Sequence, residues 1–226
     1  MVNFVDKADN YVLIRRVLIS VSDKSALEEL IPGLLAVNPQ VHLYSTGGTY
    51  RKIAEILGPE RAAEHLIPVA AYTGQPETQG GLVKTLDFRI YLGLLTETYN
   101  DAHQADLART EAVPLDMVVV NLYPFAATVA QEGVTVEQAR ANIDIGGPCM
   151  LRAAAKNYLR VVPVVNPNDY GALLSALRYG NGTLDMATRF TYARKAFAHT
   201  AAYDGAIAAY LQTQDPSQVP DAYTLA

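Results

Sequence analysis

The sequence predicts an α/β protein, a parallel β-sheet flanked by helices. Two observations carry that prediction. Strand–turn–helix units occur twice within the first sixty residues, and two further apolar strand-like runs in the second half lie among helical segments. A chain that alternates strand and helix in this way builds a parallel sheet with helical crossovers.

The elements follow in order. "VLISV" (17–21) is a short β-branched strand. "SDKSALEEL" continues it as a helix with Ser22 or Asp23 as N-cap, and Pro32 kinks or restarts that helix. "QVHLYST" (40–46) is the second strand. "GGTYRKIAEILG" is the next helix, with apolar spacing at Ile53, Ile56 and Leu57. Residues 58–66 read as a polar helical insert. Residues 72–88, rich in Gly, Thr and Pro, read as a long ordered loop of the kind that carries function. "DAHQADLARTEA" is helical, and "DMVVVNLYPF" (116–125) holds a buried strand from Met117 to Val120. "VTVEQARAN" is a helix capped by Thr135. "RVVPVVNP" (160–167) is a strand and "NDYGALLSALR" a helix. Residues 183–211 form one long helix, and the tail from Gln212 frays.

Composition narrows the class. The chain has 226 residues, half of them hydrophobic and 18% charged, enough for one large domain or two small ones. No stretch approaches the roughly 18 apolar residues of a membrane span. Charges at Asp6, Lys7, Asp9, Arg15 and Arg16 interrupt any signal-peptide core. The single cysteine, Cys149, rules out an internal disulfide, and together these features point to the cytoplasm. The four histidines, at 42, 65, 103 and 199, have no metal-ligand spacing. A net charge of −5 argues against a nucleic-acid partner. It leaves room for a small phosphorylated ligand in a locally positive pocket.

Two turns are candidate phosphate cradles. "SVSDK" (20–24) ends the first strand and "STGGT" (45–49) ends the second. Each offers hydroxyls and backbone N–H groups at a helix N-terminus, and Lys24 adds a full charge. Either turn alone is more often a plain cap and tight turn, with Ser22 and Thr49 as caps. Parallel strands bring both to one sheet edge, where ligands of open α/β sheets collect. Lys84 and Thr85 in the long loop, and Asn121 and Tyr123 at the end of the buried strand, emerge at that same edge.

"NIDIGGPCMLRAAAKN" (142–157) holds the reactive corner. Pro148 suits a first helical turn, and Gly146 and Gly147 leave the backbone bare for a ligand. Cys149, Arg152 and Lys156 share a face. The like charges of Arg152 and Lys156 at i, i+4 call for a negative partner, either Asp144 or another surface carboxylate, or a site. Side chains lean toward the helix N-terminus, so Lys156 is expected to reach back toward the pocket edge.

"LISVSDK", "YSTGGT", "YTGQPE", "VKTL", "NLYPF", "NIDIGGPCMLRAAAKN" and "KAFAHTAAYDGAIAAY" resemble, in order, the signature segments of the inosine monophosphate (IMP) cyclohydrolase domain. That domain is normally the N-terminal part of a bifunctional enzyme whose other half is AICAR transformylase. The resemblance runs over residues 16–211, leaving 1–15 as an extension and 212–226 as a tail. It implies a methylglyoxal-synthase-like three-layer sandwich. It also implies closure of 5-formamido-AICAR ribotide to IMP with loss of water, without metal or cofactor. Ser20, Ser22, Lys24, Ser45, Gly47, Gly48 and Thr49 would hold the 5′-phosphate. Lys84, Tyr123, Asp144 and Lys156 would stand at the reacting end, with Thr85, Asn121, Gly146 and Gly147 against the base. The resemblance further implies a homodimer, and a separate formyl-transfer enzyme supplying the substrate.

The chain departs from the family in three places. Leu82 stands where the family has an Arg near the base end of its site, and "DFRIYLG" (87–93) replaces "HPKIHGG"; Arg89 is a candidate substitute for the missing guanidinium. The transformylase half is absent. Residues 1–15 and 58–66 have no assigned role. A second reading therefore stands beside the enzyme: a purine-nucleotide-binding regulatory module of the same fold without turnover. A phosphate-eliminating synthase of the methylglyoxal type is a third, though it would not require the "NLYPF" and "IDIGGP" corner.

Overall fold

The computed structural model describes residues 4–75 and 83–225. Among these, five parallel strands form one sheet: β2 (Arg16–Val21), β3 (His42–Ser45), β4 (Leu66–Pro68), β5 (Met117–Asn121) and β6 (Val162–Val164). Their order is β4-β3-β2-β5-β6. The chain winds outward from β2 through β3 to β4, then returns to the other side of β2. The reversal lies between β2 and β5, where the carboxyl ends of neighbouring strands open a crevice.

Alternation along the strands sorts the two cores. Val17, Ile19 and Val21 of β2 and Met117 and Val119 of β5 face α1 (Leu27–Val37), α2 (Gly47–His65) and α9 (Tyr170–Tyr179). Leu18, Val118 and Val120 face α4 (Phe88–Leu95), α8 (Gly146–Lys156) and α10 (Met186–Gln212). Strands apolar on both faces demand helices on both faces, which gives the three-layer sandwich expected from the resemblance.

Several local expectations need correction. The first helix starts at Leu27, after Ala26 in left-handed conformation (φ 58°), and runs through Pro32 without a break. Asp23 does not cap it; its carboxylate instead accepts the Ser25 N–H at 2.8 Å in a tight turn. Within residues 58–66, α2 breaks at Gly58 (φ 72°) and resumes as helix to His65. The expected loop begins inside α3 (Val69–Thr73), and its segment 76–82, with Leu82, lies outside the described residues. Its far end opens α4, where Asp87 accepts the Arg89 N–H at 2.8 Å and Ile90 and Leu94 are buried. A helix α5 (Asp101–Thr110) then leads to β5, and α6 (Phe125–Val129) and α7 (Val136–Ala141) follow it. Thr135 caps α7 in a reciprocal capping box with Gln138, as its sequence suggested.

The long C-terminal helix is preceded by a strand, β7 (Thr183–Asp185). It pairs antiparallel with β1 (Tyr11–Leu13), which gives part of the N-terminal extension a place in a second, two-stranded sheet. Arg189 on α10 secures this join. Its guanidinium is fully buried and donates to the carbonyls of Asp9, Asn10, Tyr158, Leu159 and Leu184 at 2.5–3.0 Å. The tail holds a short 3-10 turn (Val219–Ala222) that packs near α7.

Candidate functional site

The crevice at the strand reversal opens into a cleft of about 800 Å³. Its walls are the ends of β2 and β5, the start of α2, the loop at Lys84–Leu86 and the run Arg140–Gly147.

One wall is built by two turns locked together. The Val21 N–H donates to Thr49 Oγ1 at 3.1 Å, and that hydroxyl donates to the Val21 carbonyl at 3.0 Å. Thr49 is thereby a brace between β2 and α2, with its hydroxyl already committed. Gly47 has φ 56°, a left-handed conformation that favours glycine. Thr46 before it is extended and makes no side-chain cap bond, so it leaves the first-turn amides of α2 to a ligand. Two ammonium groups stand over this turn. A Cβ placed on Gly47 would lie 3.5 Å from Lys84 Nζ, and one on Gly48 would lie 3.8 Å from Lys24 Nζ. Helix amides, glycine backbone and two lysines together have the chemistry to hold an anion.

Asn121 joins this wall to the next strand. Its Oδ1 accepts the Asp23 N–H at 2.8 Å and its Nδ2 donates to the Asp23 carbonyl at 2.8 Å. Each end of the amide bonds the loop that carries Ser22 and Lys24. Asn121 lines the cleft and clamps that turn, with one lone pair and one N–H proton left over.

The opposite wall holds Asp144. Its Oδ1 accepts the Gly147 N–H at 2.9 Å, and the Tyr123 amide also donates to the carboxylate. Burial pushes its pKa above the usual carboxylate range, and the two amides offset only part of that. The Asp144 N–H donates to the Tyr203 hydroxyl of α10 at 2.8 Å, which ties the loop to the core. Lys84 and half-exposed Tyr123 share the cleft with this carboxylate. Buried Thr85 packs on the helix mouth, its Oγ1 2.8 Å from where a Cβ on Gly146 would lie.

Of the residues named from sequence, Ser20, Ser22, Lys24, Gly47, Gly48, Thr49, Lys84, Thr85, Asn121, Tyr123, Asp144, Gly146 and Gly147 line this cleft. Two do not. Ser45 is fully buried, and its hydroxyl donates to the Ile19 carbonyl at 2.8 Å, inside the sheet. Lys156 is exposed at the end of α8 and is not on the cleft wall, whose last α8 residue is Met150, six residues and so about 9 Å of axis before it. The like-charge pair did not signal a shared anion either, since Arg152 lies over the Phe197 ring at 5.6 Å. The Gly147 amide is not free, being spent on Asp144. Arg89 is held away from the cleft by the Tyr72 carbonyl at 3.0 Å and Glu111 at 3.9 Å.

Sequence reading missed Thr46, Arg140, Asn142 and Ile145 on the cleft wall, and Tyr203 behind it. The run from Arg140 to Asp144 sits just before the glycine pair, and that proximity was the available signal. Among the described residues, no helix is long and apolar enough to cross a membrane, and no cluster of three His, Cys, Asp or Glu could hold a metal ion.

Two family models match the chain: the MGS-like domain over residues 26–149 and the AICARFT/IMPCHase bienzyme over residues 154–226. The bifunctional purine biosynthesis protein PurH of Magnetococcus marinus is 45% identical over 216 residues, covering 94% of this chain and 39% of that protein. PurH of Sorangium cellulosum is 48% identical over 210 residues, covering 93% and 38%. The chain thus spans about two fifths of the length of these curated relatives. The crystal structure of ForH aligns with a TM-score of 0.72 at 32% identity, covering 86% of this chain and 95% of that one.

Proposed function

Because the chain belongs to the MGS-like domain family, with a C-terminal part that matches the AICARFT/IMPCHase bienzyme, we propose that it serves purine biosynthesis as an IMP cyclohydrolase. Its substrate would be 5-formamido-AICAR ribotide and its products IMP and water. One observation carries the reading: a single cleft joins a two-turn anion site to the trio Asp144, Lys84 and Tyr123. Phosphate binding alone needs no such carboxylate.

The chemistry follows from the positions. The carboxamide nitrogen forms a C–N bond to the formyl carbon, and one of its protons passes to Asp144. A carboxylate destabilised by burial is the better base, and the Asp144 pKa is raised. The formyl oxygen becomes an oxyanion stabilised by the Tyr123 hydroxyl, and by the Lys84 ammonium once it swings from the Gly47 turn toward the reacting end. One such donor contributes roughly 10²–10³ in rate. The oxygen then takes up protons and leaves as water as its C–O bond breaks, and loss of the proton on the former formamide nitrogen forms the C=N bond of the ring. With the phosphate held on the α2 turn, the two reacting arms of one molecule stay in attack range.

A continuous absorbance assay with formamido-AICAR ribotide tests the proposal, with the purine spectrum of IMP as its signal. Turnover supports it. Tight IMP binding without turnover overturns it in favour of the regulatory module, a reading that draws on the position of Lys156 outside the cleft. A homodimer belongs to the same proposal.

A further inference from the structure

Arg140 is a cleft-wall cation that neither the phosphate turns nor the proposed chemistry uses. It sits four residues before Asp144, in the lining run Arg140–Gly147 of the cleft that also holds Gly47 and Gly48. Its side chain is largely exposed, yet its orientation is fixed. Nε and Nη2 donate to the two carboxylate oxygens of Glu137, each at 2.6 Å, in a bidentate fork. Glu137 is itself held, accepting the Tyr223 hydroxyl of the tail at 2.7 Å. A fork bonded on one edge keeps Nη1 as a donor for another acceptor.

We infer that Arg140 reads the carbonyl oxygen on the base end of the nucleotide, the substrate's carboxamide oxygen that becomes the oxo group of the product. The inference rests on the cyclohydrolase reading for the ligand's identity. A nucleotide with its phosphate on the α2 turn presents its base toward the wall 140–147. Ile145, an exposed apolar side chain on that wall, offers the base a flat neighbour. A guanidinium there donates to an oxo group and has nothing to offer an amino group. A site built on a hydrogen bond rejects the analogue that cannot make it. Donation to the carboxamide oxygen also withdraws electrons from its nitrogen, easing loss of the proton to Asp144. Glu137 and Tyr223 act through Arg140 and are positioning residues. The same guanidinium supplies a cation to the base end, the role for which Arg89 is turned the wrong way.

Titration calorimetry with IMP, AMP and ribose 5-phosphate tests this. The wild type should prefer IMP over AMP by at least tenfold. Arg140→Ala should bring that ratio close to one and leave ribose 5-phosphate affinity unchanged, which also verifies the fold. Glu137→Gln should lower the ratio partway; an equal loss for all three ligands would assign Glu137 to structure alone and overturn its positioning role. An IMP/AMP ratio untouched by Arg140→Ala overturns the inference. If that protein still converts the formamido ribotide, the cyclohydrolase reading survives it. A ratio that depends on Arg140 in a protein without turnover does the reverse.

Discussion

The Asp144 carboxylate and the Gly147 backbone are fitted to each other. The Gly147 N–H donates to Oδ1 at 2.9 Å, and a Cβ on Gly147 would lie 2.7 Å from Oδ2. The same Cβ would come within 2.6 Å of Leu122 Cδ2. Gly147→Ala should therefore displace the carboxylate. We expect turnover to fall at least tenfold while ribose 5-phosphate affinity is retained. Steady-state kinetics beside calorimetry reads this, and wild-type turnover in the variant would show that Asp144 need not stay where it is.

The pH dependence follows from the raised pKa of Asp144. Only the deprotonated carboxylate accepts a proton, so kcat/KM should fall as pH drops through a value above the ordinary 3.8. Folded protein holds this proton more tightly than unfolded chain. The stability it contributes is full below 3.8 and is lost as pH rises through the folded value. Asp144→Asn should lower turnover about 100-fold and abolish the acid limb. A wild-type profile with no inflection above 3.8 would argue against this base.

Lys156→Ala should leave IMP affinity within about twofold of wild type, because the lysine lies outside the cleft wall, six residues and about 9 Å of axis past Met150. A tenfold loss in calorimetry would mean that Lys156 enters a cleft only when chains assemble.

Asn121→Leu removes both bonds to Asp23. The turn carrying Ser22 and Lys24 then loosens, and ribose 5-phosphate affinity should drop about tenfold, in line with two net hydrogen bonds of roughly 1 kcal/mol each, part of which is recovered. An unchanged affinity would return Asn121 to a direct role at the base.

Arg189→Met removes a fully buried guanidinium and strips donors from five carbonyls, that of Leu184 buried and the other four part-buried. Removing one side of a buried polar network costs about 3 kcal/mol or more. Urea denaturation should show that loss, whereas a shift under about 1 kcal/mol would mean that water replaces the guanidinium.

Much of the fold was legible because β-branched runs and glycine turns are local signals. Val17–Val21, Met117–Val120 and the helix after Gly146 needed no distant information. What stayed hidden depends on partners far along the chain. Ser45 looked like a ligand hydroxyl because a strand-end serine carries no mark of which way it turns; the Ile19 carbonyl on the neighbouring strand took it. Lys156 shares a helix face with Cys149 and Arg152, and face-sharing says nothing of distance along the axis. Thr49 and Asn121 were found, yet as braces of the site, since amino-acid type does not reveal whether a polar group is already engaged. Arg140 was overlooked because an arginine beside a glutamate at i, i+3 reads as an ordinary surface pair.

The Arg189 join also sets the order in which the chain can mature on the ribosome. Asp9 and Asn10 emerge early, but their carbonyls must wait for a guanidinium encoded about 180 residues later. The two-stranded sheet faces the same delay, since Tyr11–Leu13 pairs with Thr183–Asp185. Contacts so distant in sequence close late and slow the overall rate. The segment from Asp9 to Leu13 is thus among the last to dock, because its partners in β7 and α10 lie far along the chain.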